Sequence, residues 1–515
     1  MTTTMIDPKQ PRRRALLRAV ASATLAASAG RAFGNGRHAP APGRFSRMFP
    51  HLPPFAEPSN ALVAALLDLG RPGGPMDARD NLAAGPIALI TEPTLRVNNP
   101  DAPLPMGAAG TTFMGQFIDH DMTFDAGSRL GVPTAPQAAT NSRAPALDLD
   151  SVYGRGPVVD AALYDPADRA KLRIGHGGLF EDLPRLADGA ALIADPRNDE
   201  HVVIAGLQCA FILFHNRVVD LLRSRGVAAG ELFAQARQMV TWHYQWIVVN
   251  EILPSFIGTA LTRDLLRRGR TRGDRDDDGI TTIPVEFQGA AYRFGHSLVR
   301  PSYRANLRGD NGLPFFGFVF DSSAQGQADP ADLRGGARAP RRFVGWQTFF
   351  DFGDGELKPR KRIDTRLSTP LFNLPLGAIA DGTTPTSLAQ RNLLRHLTWQ
   401  LPAGQRIAER LDVPALAPGH FPELAAYRLG LERSTPLWYY VLREADVMAD
   451  GLHLGPVGGR IVGETILGVL RGDHDAYLSA APDWRPTLPT RTGDGNFRMT
   501  DLLTFARVDP GSRGQ

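Results

Sequence analysis

Apolar positions along this chain recur mostly at helical spacing. Phe113, Met114, Phe117 and Ile118 share one face of the run Thr111 to Asp121, which predicts an amphipathic helix. Asp199 reads as an N-cap for a run from Glu200 to about Arg223, apolar on nearly every side. A helix of that kind has to be buried. Phe233 to Leu266 carries further helical runs, including Trp242 to Val249. Pro284 opens a helix with Phe287, Ala290, Ala291, Phe294 and Leu298 on one face, and Pro301 ends it. Gln390 to Leu411, Pro436 to Met448 and Gly458 to Leu470 read as helical, whereas residues 305–370 look irregular. Strand-like alternation is scarce and no internal repeat is found. The expected fold is mainly α, a large single domain at 46–510 with long loops and little β, preceded by a disordered leader at 1–45.

Composition changes this picture only in part. Length alone, 515 residues, suggests roughly three domains of about 150 residues each; the pattern is nevertheless read as one. The 53 Gly and 42 Pro imply many loops between helices. Net charge is +4, and the basic residues, nearly all Arg, are scattered; a nucleic-acid groove needs a basic stripe, so no nucleic-acid partner is expected. The single cysteine, Cys209, excludes a disulfide within the chain and reads as a small buried core residue. Pro11-Arg12-Arg13-Arg14-Ala15-Leu16-Leu17 and the Ala-rich run to Ala29 fit an export signal of the twin-arginine type, with a disordered basic tail as the alternative. No other stretch of about 20 apolar residues is seen, so no membrane-spanning helix is expected. Asp274, Asp276, Asp278 and Gly279 resemble the start of an EF-hand loop, but Val285 stands where that motif needs Glu, so 267–279 reads as a solvated loop.

Four groups of residues carry candidate chemistry. Gln116 and His120 lie four apart and share a helix face; Asp119 flanks that face and Asp121 points away. His296 lies in an amphipathic helix beside Gly295, whose missing side chain lets a flat ring approach. A neutral imidazole ligates iron well when its other nitrogen is held, and Asn392 offers an amide carbonyl for that. Arg197 and Glu200 stand at the mouth of the buried helix, where a guanidinium can polarise a peroxide bond. Asp148 and Asp150, before Tyr153-Gly154, put two carboxylates on one face of an extended segment, a suitable arrangement for calcium. Each group has a structural reading as well: a hydrogen-bonded histidine, a helix-cap arrangement, an Asx-turn.

Taken together, Gln116 to Asp121, Arg197 to Glu200, Arg293 to His296 and Asp148 to Gly154 resemble the animal-type haem peroxidases of the peroxidase–cyclooxygenase superfamily, the group of myeloperoxidase, lactoperoxidase and peroxidasin. Arg362-Ile363-Asp364, Pro370 to Pro375 and Leu454 to Val462 extend the resemblance, which runs from about Arg44 to Ala506. It implies haem b between buried helices, with His296 as the iron ligand, Asn392 as its partner, and His120, Arg197 and Gln116 on the opposite, catalytic side. It further implies ester links from haem to Asp119 and Glu200, and calcium on Asp121, Asp148 and Asp150. Asp150 replaces a serine of the family, and Ala144 replaces a threonine and removes one oxygen ligand. His201 stands where myeloperoxidase has a methionine bonded to haem, so that sulfonium link cannot form. The implied activity is reduction of hydrogen peroxide and oxidation of a small phenolic or halide/pseudohalide donor through an oxoferryl intermediate. The alternative within the superfamily is a fatty-acid dioxygenase or cyclooxygenase-like enzyme. Those enzymes use a tyrosine three residues before the iron ligand; here Arg293 holds that position and Tyr292 is one residue further back, turned by about 100° on a helix.

Overall fold

In the computed structural model, residues 43–125, 127–268, 281–324, 329–337, 339–379 and 382–515 are described. The leader up to residue 42, with its Arg-Arg-Arg run, and the Asp-rich stretch 274–279 lie outside the described residues. The chain is 46% helix and 8% strand, which makes the fold mainly α as the periodicity predicts. Pro42–Gln515 forms one compact unit, and it already includes Gly43, Arg44 and Phe45, which the pattern alone leaves in the leader.

The helices that carry the argument are α1 (Ala109–Met122), α2 (Val202–Ser224), α3 (Leu232–Ile247), α4 (Leu253–Ile257), α5 (Leu388–Thr398), α6 (Leu437–Ala449) and α7 (Pro456–Gly472). α2 is buried along nearly its whole length. It is the one described helix long and apolar enough to cross a membrane, and 83% of its most apolar window is buried inside the fold. Its side chains are therefore satisfied by protein. Phe117 of α1 stacks on Phe211 of α2, ring centroids 4.7 Å apart, and Tyr244 of α3 meets both rings edge-on. These three rings join α1, α2 and α3, and Phe117 has no exposed surface. Phe117→Ala is expected to cost about 3–5 kcal/mol, the range for emptying a buried aromatic site; a chemical denaturation midpoint equal to that of the unsubstituted protein would refute the packing argument. α1 also approaches its neighbours through glycine: a Cβ on Gly110 would lie 2.5 Å from the Phe350 ring.

Strands are few and short. Gly43–Ser46 pairs antiparallel with Thr140–Asn141 and parallel with Ile283–Pro284, in register Gly43↔Asn141 and Phe45↔Ile283. Buried Glu286 accepts hydrogen bonds from the Met48 and Phe49 amides and so ties the start of the fold to the segment that carries His296.

Three expectations need correction. Asp199 does not cap α2: its carboxylate pairs with Arg185, and His201 is the N-cap, its Nδ1 accepting from the Ile204 amide at 3.2 Å. The helix read from Pro284 to Leu298 breaks. One α-turn, Val285–Gly289, ends where Ala290 adopts φ −141°, ψ −73°, and Ala291–Leu298 continues as a 3₁₀-helix. Trp438 of α6 donates to the Arg293 carbonyl, so a neighbouring helix claims that backbone acceptor. The span Gln390 to Leu411 divides at Gln400, whose φ is +48°, and restarts at Gly404. Cys209 is buried as expected, packed with Leu183 and Ala205.

Candidate functional site

One cavity is lined by Gln116, Asp119, His120, Arg197, Glu200 and His201 on one side and by Arg293, Gly295 and His296 on another. It brings together nearly every residue singled out for chemistry; Asn392 stands behind His296, and the aspartates of the calcium group lie apart. α1 supplies the first three, the turn before α2 the next three, and the 3₁₀-helix the last three. A 3₁₀-helix has three residues per turn, so Arg293 and His296 come to the same face.

His120 is 4% exposed. Its Nδ1 lies 2.8 Å from Asn198 Oδ1, which leaves Nε2 as the ring nitrogen for the cavity. Burial, with Arg197 beside it, pulls the imidazole down to about 4, against the opposing pull of Asp195 and Asp119, so His120 is a neutral base at pH 7. Arg197 is held on three sides. Nε and Nη2 bind Asp195 at 3.0 and 2.7 Å, and Nη2 also donates to the His120 and Thr123 carbonyls. Nη1 stands 4.0 Å from Asp119, and the guanidinium lies 4.4 Å over the Phe124 ring. Asp195, which sequence reasoning missed, therefore offsets much of the charge of Arg197, and the arginine holds its own carboxylate well below the usual range despite burial. Gln116 bridges two neighbours: Nε2 donates to Glu200 at 3.1 Å, and Oε1 accepts from His201 Nε2 at 2.7 Å. Burial raises Glu200 to about 8, so it is a protonated carboxyl at neutral pH. Asp119 accepts from the Thr123 hydroxyl at 2.9 Å.

At the second histidine of the cavity, the Asn392 carboxamide lies 2.7 Å from His296 Nδ1, while Asn392 Oδ1 is buried with no partner. The two ends of an amide are assigned by hydrogen bonding. Placing Oδ1 on an Nδ1–H of His296 gives that oxygen its donor and leaves the Nε2 lone pair toward the cavity. Burial, reinforced by Arg293 and Arg395, lowers His296 to about 3 and keeps it neutral. A Cβ on Gly295 would meet nothing within 4 Å, so the cavity is open at that position. Arg293 and Arg395 also line this cavity, two cations suited to the carboxylates of a flat ligand. A cavity lined by two neutral imidazoles, with open space at Gly295 and two wall cations, fits an iron porphyrin.

The acidic group forms a separate cluster. Asp121, Asp148 and Asp150 each offer a carboxylate oxygen, and these atoms lie within 4.8 Å of one another. Asp150 does not sit on an extended segment. Leu149 adopts φ +61° and a short helix begins at Asp150, so the left-handed turn makes the two carboxylates converge. Ser151, missed by sequence reasoning, donates its hydroxyl to Asp121 at 3.2 Å; Ala144 contributes an amide to Asp150 at 3.0 Å. Burial and mutual repulsion raise both Asp121 and Asp150 above the carboxylate range. Arg143 and Arg237 answer only part of that charge.

Residues 125–315 match the family model for animal haem peroxidase, a span that contains Arg197, Glu200 and His296 but not His120 or Asn392. The chain is 28% identical over 221 residues to "Probable oxidoreductase PXDNL" of Homo sapiens, covering 38% of this chain and 15% of that protein. It is 34% identical over 110 residues to "Chorion peroxidase" of Drosophila melanogaster, covering 20% of this chain and 14% of that protein. The matched stretches thus span a small part of these relatives' length. In three dimensions the chain is similar to Peroxidase A from Dictyostelium discoideum, with TM-score 0.59 and 15% identity over 92% of this chain and 95% of that one. It is also similar to a fatty acid alpha-dioxygenase of Arabidopsis thaliana, with TM-score 0.55 and 14% identity over 92% and 78% of the two chains.

Proposed function

We propose that this chain, whose residues 125–315 match the animal haem peroxidase model and whose fold is similar to that of a peroxidase, is a haem peroxidase of the peroxidase–cyclooxygenase superfamily that reduces hydrogen peroxide and oxidises a small phenolic or halide/pseudohalide donor. The observation that carries this reading is the pair of neutral histidines, His120 and His296, facing one cavity with Arg197 beside the first. Haem, when bound, supplies an iron that accepts peroxide and stores its oxidising equivalents. His296 Nε2 would hold that iron, and Asn392 would keep the imidazole proton on Nδ1. His120 Nε2 takes the proton from peroxide and returns it to the leaving oxygen. Arg197 Nη1 steadies negative charge on that oxygen, more weakly than an unpaired guanidinium because Asp195 shares it. Arg293 and Arg395 would hold the porphyrin carboxylates.

Asp119 and Glu200 are proposed as ester-forming carboxyls; the protonated state of Glu200 lowers the cost of enclosing it against an apolar ring. Extraction into acidified organic solvent after peroxide treatment should leave the porphyrin on the polypeptide, and free release would rule the esters out. Asp121, Asp148 and Asp150, with the Ser151 hydroxyl, are proposed to hold calcium, which elemental analysis of purified protein checks. Export through the Arg12-Arg13-Arg14 leader is proposed on its composition alone.

A second reading, fatty-acid dioxygenase, has one observation in its favour. A mostly apolar cavity of about 790 Å³ has Ile257, Arg360 and Arg460 on its wall. Against it, the two cavities share no lining residue, and the Tyr292 hydroxyl donates to the Gly115 carbonyl. Stopped-flow absorbance with hydrogen peroxide separates the readings. Rapid loss of Soret intensity that phenol or bromide reverses supports the peroxidase; oxygen uptake with linoleate, and little turnover of phenol or halide, selects the dioxygenase.

A further inference from the structure

His120 must present an unprotonated Nε2 to take a proton, yet a neutral imidazole places its one proton on either nitrogen. Nothing on α1 itself settles the choice. The deciding contacts come from a different segment. Asn198 Oδ1 lies 2.8 Å from His120 Nδ1, and Asn198 Nδ2 donates to Gln208 Oε1 at 2.9 Å. Asn198 is fully buried, and Gln208, a full ten residues on and two turns into α2, is 1% exposed. An asparagine amide alone is indifferent to direction: turned over, it offers N–H to Nδ1 and drives the proton to Nε2, which then cannot act as a base. With Gln208 Oε1 turned toward Asn198, only one orientation of the Asn198 amide satisfies both of its ends inside an apolar core, where an unmade hydrogen bond costs about 1–3 kcal/mol.

We propose that Gln208, acting through Asn198, is a positioning residue that fixes the Nδ1–H tautomer of His120. It touches neither substrate nor cofactor. The proposal rests on the assignment of His120 as the acid–base group, and it extends that group by two residues, the outer one on the buried part of α2.

The test is ¹⁵N NMR of the ferrous carbon-monoxide form of the holoenzyme labelled with ¹⁵N-histidine. The His120 signals are assigned by their disappearance in His120→Gln. The unsubstituted enzyme should show a protonated Nδ1 and an unprotonated Nε2. Gln208→Leu should lose this single pattern in favour of the other tautomer or an average of both, and Gln208→Glu, which keeps an acceptor, should retain it. Cyanide association with the ferric enzyme provides a second readout, since hydrogen cyanide must give up a proton on binding; its rate should fall in proportion to the lost Nδ1–H population. Adding Asn198→Asp to Gln208→Leu should restore the pattern, because a carboxylate accepts in either orientation. An unchanged His120 spectrum and cyanide rate in Gln208→Leu would overturn the proposal. If Gln208→Leu does not retain haem, Gln208→Met carries the same comparison. A failed assignment of His120 itself would appear differently, as a His120→Ala enzyme with undiminished peroxide cleavage.

Discussion

His120→Ala is expected to leave haem bound and to slow cleavage of hydrogen peroxide by about 10²–10⁴-fold, the range for loss of a general acid–base group. That corresponds to about 2.7–5.5 kcal/mol of activation free energy, at roughly 1.36 kcal/mol per tenfold. The expectation follows from the position of the ring: Nδ1 is taken by Asn198, so alanine removes the one nitrogen that faces the cavity, while His296 is untouched. Stopped-flow absorbance at the Soret band measures the rate, and the resting spectrum checks that haem is retained. Full activity would show that the proton goes elsewhere. The unsubstituted enzyme carries a pH signature of the same group. Burial and Arg197 disfavour the imidazolium and lower His120 from 6.5 to about 4. The base form therefore survives through pH 5, and the rate should be lost only as pH falls through about 4. Folding stability moves in the same direction. His120, His215, His243, His296 and His396 are all held below the ordinary histidine value by burial. Their contribution is complete above pH 6.5 and is lost as pH falls below it, since the unfolded chain then binds more protons.

His296→Ala is expected to abolish stable haem binding, and with it all peroxidase turnover above background. The cavity offers several contacts to a porphyrin, but among its histidines only His296 has its Nδ1 held by the Asn392 side chain, which leaves Nε2 for iron. The Soret absorbance of purified protein relative to its protein absorbance at 280 nm measures the loss, and imidazole added to the variant should recover part of it. Retention of the full band with an unchanged five-coordinate spectrum would place the ligand on another residue. His296→Gln, which keeps a polar side chain near Asn392, distinguishes loss of the ligand from collapse of the 3₁₀-helix.

What the sequence by itself determined was the helical class and the residue types of the site. Periodicity reports how a local face is buried, so the spacing of Phe113, Phe117 and Ile118 was enough to place α1, and the apolar run after Glu200 was enough to bury α2. The histidines, Arg197 and the aspartates stood out because few side chains can do their chemistry, and the family resemblance paired His296 with Asn392. Helix ends and hydrogen-bond partners had no such signal. Whether Asp199 or His201 capped α2 depended on Arg185, a cation from a separate turn that captured Asp199. Nor did periodicity show that Trp438, 145 residues from Arg293, takes the Arg293 carbonyl just past the break at Ala290. The convergence of Asp148 and Asp150 required a left-handed Leu149 that no propensity predicts. Asn198 and Asp195 looked like ordinary loop residues. They became the partner of His120, 78 residues distant, and the counter-charge of Arg197 only when packing brought these segments together. Local pattern encodes which faces turn inward; the partner each buried polar group meets there is set by the tertiary fold, because an unpaired polar atom is costly only once the water around it has been excluded.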